Sequence, residues 1–158
     1  MTLHIAYYKG RKSDNPQTHW LDRLICWATN SPHSHCELVI NYSPESERGV
    51  CWSSSPRDGG VRRTSIKLSP PHWEVYRLNT SVTAHDVEEW FTPLDGLKYD
   101  YLGAIGARFP SIPGIKRRWF CSEIVCACLF RDNIVQHDQY SPGELYNFLE
   151  KLNMHRVP

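Results

Sequence analysis

The chain has no apolar run approaching the roughly 20 residues that cross a bilayer. Its opening stretch, from Met1 to Gly10, has no continuous apolar segment of the kind that directs export. A soluble, cytoplasmic protein with no integral membrane segment is therefore the expectation. Charge of one sign is also lacking: 18 Lys and Arg stand against 17 Asp and Glu, for a formal net charge of +1. That balance offers no electrostatic footprint for a polyanion, so nucleic acid is not an expected partner. There is no internal repeat and no low-complexity tract, which leaves a single domain over 1–158. Cysteine pairs of metal-site spacing are not matched by a second pair elsewhere, so neither a metal nor any other cofactor is expected. With no export signal, the six cysteines read as free thiols rather than a disulfide framework.

What is present is ample core material, 41% hydrophobic and 12% aromatic over 158 residues. Residues 2–8 alternate weakly and favour β-branched and aromatic types, which predicts a first strand. A turn-rich loop, 9–17, precedes a helix with Thr18 as N-cap, in which Trp20, Leu21, Leu24, Ile25 and Ala28 recur at helical spacing. Ser31-Pro32 ends it, and a strand carrying His35 follows. Period-two geometry puts Ser34, Cys36, Leu38 and Ile40 on one face of that strand, and His35, Glu37 and Val39 on the other. Strands are then expected over 50–54, 61–68 and 73–78, the whole read as an antiparallel meander. Helices are expected over 83–91, 99–108, 121–130 and 141–152, with Ser141 as N-cap and Pro142 at the first position of the last. Strands cluster in the first half and helices in the second, the pattern of an α+β domain.

Two segments carry chemistry: Ser34-His35-Cys36-Glu37-Leu38-Val39-Ile40 and Trp119-Phe120-Cys121-Ser122-Glu123-Ile124-Val125. A thiol in the first turn of a helix faces the positive end of the peptide dipoles and unpaired backbone N–H groups, which favour thiolate. Ser122 and Glu123 suit that first turn, so Cys121 is the candidate nucleophile. Cys126 and Cys128 fall among apolar residues of the same helix and read as small buried hydrophobes. A nucleophilic thiol needs an imidazole, which the fold brings from anywhere in the chain. His35 is preferred over His33, which stands beside Pro32 nearer the strand end.

These segments, in this order, resemble the circularly permuted papain-like (NlpC-type) superfamily, and in particular its YiiX/YebB-like branch. The stretches Ser53-Ser54-Ser55-Pro56-Arg57-Asp58-Gly59-Gly60-Val61-Arg62 and Gly96-x-x-Tyr99-Asp100 also resemble segments of its small, often phage-encoded members. The resemblance implies a papain-like α+β core, a Cys–His dyad, and a third polar group that orients the imidazole. It implies a thiol hydrolase acting on a peptide, muropeptide or other acyl substrate, in a virion or host cytoplasm if phage-encoded. Acyl transfer or lipid-directed thioester chemistry on the same dyad is the alternative, and so is a non-catalytic accessory or binding module.

For the third group, related enzymes use the next strand, where this chain has Ser53 and Ser54 instead of a carboxylate or histidine. Glu37 shares the face of His35 and is preferred, with Ser53 and Asp58 as alternatives; Asp58 is also explained by turn chemistry before Gly59-Gly60. Arg57, Arg62 and Arg63 flank that turn, and Arg57 and Arg62 are candidates to hold a substrate carboxylate. Solvated charge on an exposed hairpin is the preferred explanation of all three. Trp119 and Phe120 are placed to wall an acyl or peptide groove.

Overall fold

The computed structural model describes residues 2–10, 20–106, 117–130, 140–152 and 154–157. Along the chain run β1 (His4–Lys9), α1 (Trp20–Thr29), β2 (His33–Ser43), β3 (Arg48–Ser55), β4 (Gly60–Lys67), β5 (Trp73–Arg77), α2 (Ala84–Phe91), α3 (Tyr101–Gly106), α4 (Cys121–Leu129), α5 (Pro142–Lys151) and β6 (His155–Arg156). The fold is α+β, with one six-stranded antiparallel sheet in the order β4-β3-β2-β1-β5-β6. No helix among the described residues is long and apolar enough to cross a membrane.

The meander expectation holds for β2, β3 and β4 only. β5 does not continue beside β4; it crosses to the far side of the sheet and pairs with β1, Tyr7 opposite Glu74 and His4 opposite Arg77. Prolines 70 and 71 interrupt the chain between β4 and β5, where a continuing ladder would need backbone donors. β1 is thereby flanked on both sides, and Ile5, Ala6 and Tyr7 are all fully buried. That explains its weak alternation, since a strand covered on both faces need not alternate. The two-residue β6 has no sequence signature and escaped prediction. The Thr18 cap and the end of the 99–108 helix lie outside the described residues.

The helices cover one face of the sheet. There Ile5, Tyr7, Cys36, Leu38, Ile40 and Trp52 pack with Val87, Phe91, Ile124, Val125, Leu145 and Leu149. A smaller cluster of Ala6, Val39, Cys51, Leu68 and Val75 fills the opposite face. Two helix starts are chemically marked, that of α5 by the expected Ser141 and Pro142. Thr83 caps α2 with Asp86 reciprocating, and Ser141 caps α5 with Glu144 reciprocating and Pro142 in the first turn.

Two local features position the site. The β1–β2 register slips between Tyr8–His35 and Lys9–His33, so Ser34 is an inserted bulge residue. The slip sends His33 to the helix-covered face, where its ring lies against Tyr7 and Tyr146, 5.1 Å and 4.6 Å between centroids. Second, the turn after β3 is tied to the segment before α4. Val61 N donates to Leu97 O (2.8 Å), Tyr99 N to Gly59 O (3.0 Å) and Asp100 N to Trp119 O (3.0 Å). A side chain at Gly60 would place its Cβ 1.9 Å from the Leu97 carbonyl oxygen, so only glycine permits this approach.

Candidate active site

Cys121 is the first residue of α4, and the helix packs on β2 and β3. No side chain caps this helix start; the Glu123 carboxylate instead accepts from the Phe120 backbone N–H at 3.3 Å. The Trp119 carbonyl, two residues upstream, accepts from the Ser54 hydroxyl at 2.7 Å, which moors the helix mouth to β3. The β2–β3 ladder stops at Leu38–Trp52, and beyond it the Cys36 carbonyl accepts from the Ser53 hydroxyl at 2.7 Å instead of from a strand amide. The thiol of Cys121 enters at this opening. The His35 side chain, the Cys36 thiol and the Cys36 backbone N–H all lie close enough to this sulfur to favour its ionised form.

His35 interacts with two partners. Its Nε2 lies 2.7 Å from Glu37 Oε1, and the Cys121 thiol is the other group that acts on the ring. Glu37 is fully buried and its carboxylate is shared: Arg62 Nη2 donates to Oε1 (2.5 Å) and Arg62 Nη1 to Oε2 (2.7 Å), a two-pronged pair. Arg62 Nε donates outward to Asp58 Oδ2 at 2.8 Å. A continuous string thus runs from Cys121 through His35, Glu37 and Arg62 to Asp58 at the surface.

The electrostatics follow from that string. Burial disfavours the charged forms of Cys121, His35, Glu37 and Arg62, and their neighbours outweigh it. For Cys121, the Cys36 thiol and the His35 imidazolium hold the pKa well below the usual thiol range. For His35, burial is overcome by the Cys121 thiolate and the Glu37 carboxylate, and the pKa is pushed up to about 10. For Glu37, burial is overcome by Arg62 and then His35, and the pKa falls to about 2. Cys36 goes the other way, driven up by burial and by donating to Cys121. The pair rests as thiolate and imidazolium, with Cys36 a neutral donor beside it.

The structure brings together Cys121, His35 and Glu37 and leaves the other candidates elsewhere. The Ser53 hydroxyl is bonded to the Cys36 carbonyl and Asp58 reaches Arg62, so neither is bonded to the imidazole. Arg62 is bound to two carboxylates within the string. Arg57 bonds the buried Asp22 at 2.6 Å and lies 5.0 Å from the centroid of the Tyr8 ring. Arg63 bonds Glu88 on α2 at 3.0 Å. Trp119 packs beside the core and contributes its backbone carbonyl as a mooring point. His33 bonds Glu74 at 3.1 Å and has no part in the string.

Sequence reasoning missed Cys36, placed only on the strand face shared with Ser34, Leu38 and Ile40; its one signal was adjacency to His35. It also placed Arg62 with the substrate, because a cross-strand partner for Glu37 is invisible without the β3–β4 register. Tyr7 and Tyr99 hydroxyls also lie close enough to feel the charge of Cys121, though burial dominates in raising both. All six cysteines are buried and none is in a disulfide, and among the described residues no cluster of three or more metal-ligating side chains occurs. No protein-family model matches the chain, and no curated protein matches it.

Proposed function

We propose that the protein is a thiol hydrolase with a permuted papain-like core, Cys121 as nucleophile, His35 as proton carrier and Glu37 as orienting group. The observation that carries this reading is the juxtaposition of a helix-mouth thiol with an imidazole that is itself hydrogen-bonded to a buried carboxylate. The Cys121 thiolate attacks the carbonyl carbon of an amide or ester, and the charge developing on oxygen is met by the Cys121 backbone N–H at the start of α4. The imidazolium of His35 gives its proton to the leaving amine or alkoxide as the tetrahedral adduct collapses to an acyl-enzyme. The neutral imidazole then takes a proton from water, which attacks the thioester, and the thiolate leaves. Glu37 holds Nε2 through both half-reactions and so keeps Nδ1 aimed at the sulfur.

The resemblance noted above favours a peptide or peptidoglycan-type amide as substrate, with an acyl acceptor other than water as the transferase variant. Exposure to a panel of acyl and peptide electrophiles, with the adduct located by mass spectrometry, tests the reading. The expected result is a single acyl adduct at Cys121 that is absent in Cys121→Ala and accumulates in His35→Ala only at high pH. Cys121 is only 1% exposed, which favours one second reading, a binding module that keeps the fold without turnover. Slow, equal labelling of all six cysteines would support that module.

A further inference from the structure

We propose that Arg62 is a positioning residue that sets the ionisation of Cys121 from three residues away, through Glu37 and His35. The inference rests on the thiol hydrolase reading and goes beyond it by placing part of the machinery on the outer strand β4.

Four charges alternate in the buried string: thiolate, imidazolium, carboxylate and guanidinium. With Arg62 present they cancel. Without it, one uncompensated negative charge remains in a site where the Glu37 side chain has no exposure to water. A proton then has to enter, and Glu37 is the group that receives it, since it loses both prongs of its partner. A neutral Glu37 no longer supports the imidazolium, and the thiolate loses its counter-ion.

The geometry is built for this reach. Ser53 on β3 stands opposite Arg62 on β4, and Ser53 and Glu37 are each one residue past the last β2–β3 pair, Leu38–Trp52. Arg62 therefore spans a whole strand over a small side chain, and Asp58 fixes its Nε from the other side. Other groups facing Glu37 do not replace it. His35 is the group being tuned, the Cys51 thiol on β3 is held neutral by burial, Cys36 is neutral, and β1 presents Ala6.

The test is the rate of iodoacetamide alkylation at Cys121, localised by peptide fragmentation, across pH 5 to 10. The wild-type protein should be half-reactive well below the ordinary thiol value of about 8.5. In Arg62→Gln the rate at pH 6 should fall by about tenfold or more with the high-pH plateau unchanged, since one pKa unit is tenfold in thiolate. Arg62→Lys keeps the charge but not the two-pronged pair, and should lie about threefold below wild type at pH 6. Glu37→Gln/Arg62→Gln should be no slower than Glu37→Gln alone, because Arg62 acts through Glu37. A profile for Arg62→Gln that superimposes on wild type, or additive losses in the double variant, overturns the proposal. If Arg62→Gln does not fold, an unchanged pH 6 rate in Arg62→Lys overturns it. A wild-type Cys121 reactive only near pH 8.5 would instead refute the thiol hydrolase reading itself.

Discussion

Two histidine–carboxylate clusters stand two residues apart on the same strand, and they behave oppositely. His35 bonds Glu37, which is fully buried and held by Arg62; His33 bonds Glu74, which Lys9 holds at 2.6 Å and Arg156 at 3.4 Å. The Glu74 cluster lines an open cleft of about 520 Å³ beside α5. Both are an imidazole on a carboxylate braced by a basic side chain. Yet burial wins at His33 and lowers its pKa, whereas at His35 burial loses and the pKa rises. The difference is the Cys121 thiolate, a second negative charge on the far side of the ring. A histidine–carboxylate pair alone does not raise the imidazole; the thiol at a helix mouth does, and the bulge at Ser34 separates the imidazole that meets it from the one that does not.

The largest expected effect that would break this contrast lies with the dyad. Cys121→Ala should abolish electrophile capture and hydrolysis while the melting temperature stays near wild type. His35→Ala should lower turnover by about 10²–10⁴-fold, the usual weight of a positioned acid–base group. His33→Ala should leave turnover within a few-fold; a comparable loss would make the two clusters equivalent.

Next comes the carboxylate. Glu37→Gln keeps the shape but deletes the charge, so Cys121 alkylation at pH 6 should fall by about tenfold, while Glu74→Gln should leave the profile in place. If Glu37→Gln is silent and Ser53→Ala shifts the profile, the orienting role belongs to β3.

The same carboxylate predicts acid sensitivity. Glu37 has a folded pKa of about 2 against an ordinary value of 4.5, so the unfolded chain binds a proton in a range where the folded one does not. Its contribution is therefore present above about pH 4.5 and is lost as pH falls toward about 2. The loss is on the order of 3 kcal/mol, at about 1.4 kcal/mol per pKa unit. Urea melts at pH 3 and pH 6 should show a smaller difference for Glu37→Gln than for wild type. An equal difference would place the acid sensitivity elsewhere.

The smallest effects concern the core thiols. Cys126 and Cys128 pack in the helix-covered core, and Cys126→Ser or Cys128→Ser should cost about 1–3 kcal/mol of stability with Cys121 reactivity unchanged. Loss of reactivity in both would tie them to the chemistry.

Residue order alone determined the α+β class, the helix starts at Thr83, Cys121 and Ser141, and the candidacy of Cys121, His35 and Glu37. Caps, turn residues and period-two faces are local, set by neighbours a few residues away. Tertiary structure alone decided that β5 pairs with β1, that a bulge separates His33 from His35, that Cys36 lies on the sulfur of Cys121, and that Arg62 belongs to Glu37. Each of these depends on strand register across the sheet. Register is fixed by packing both faces at once and leaves no mark in any short stretch of sequence.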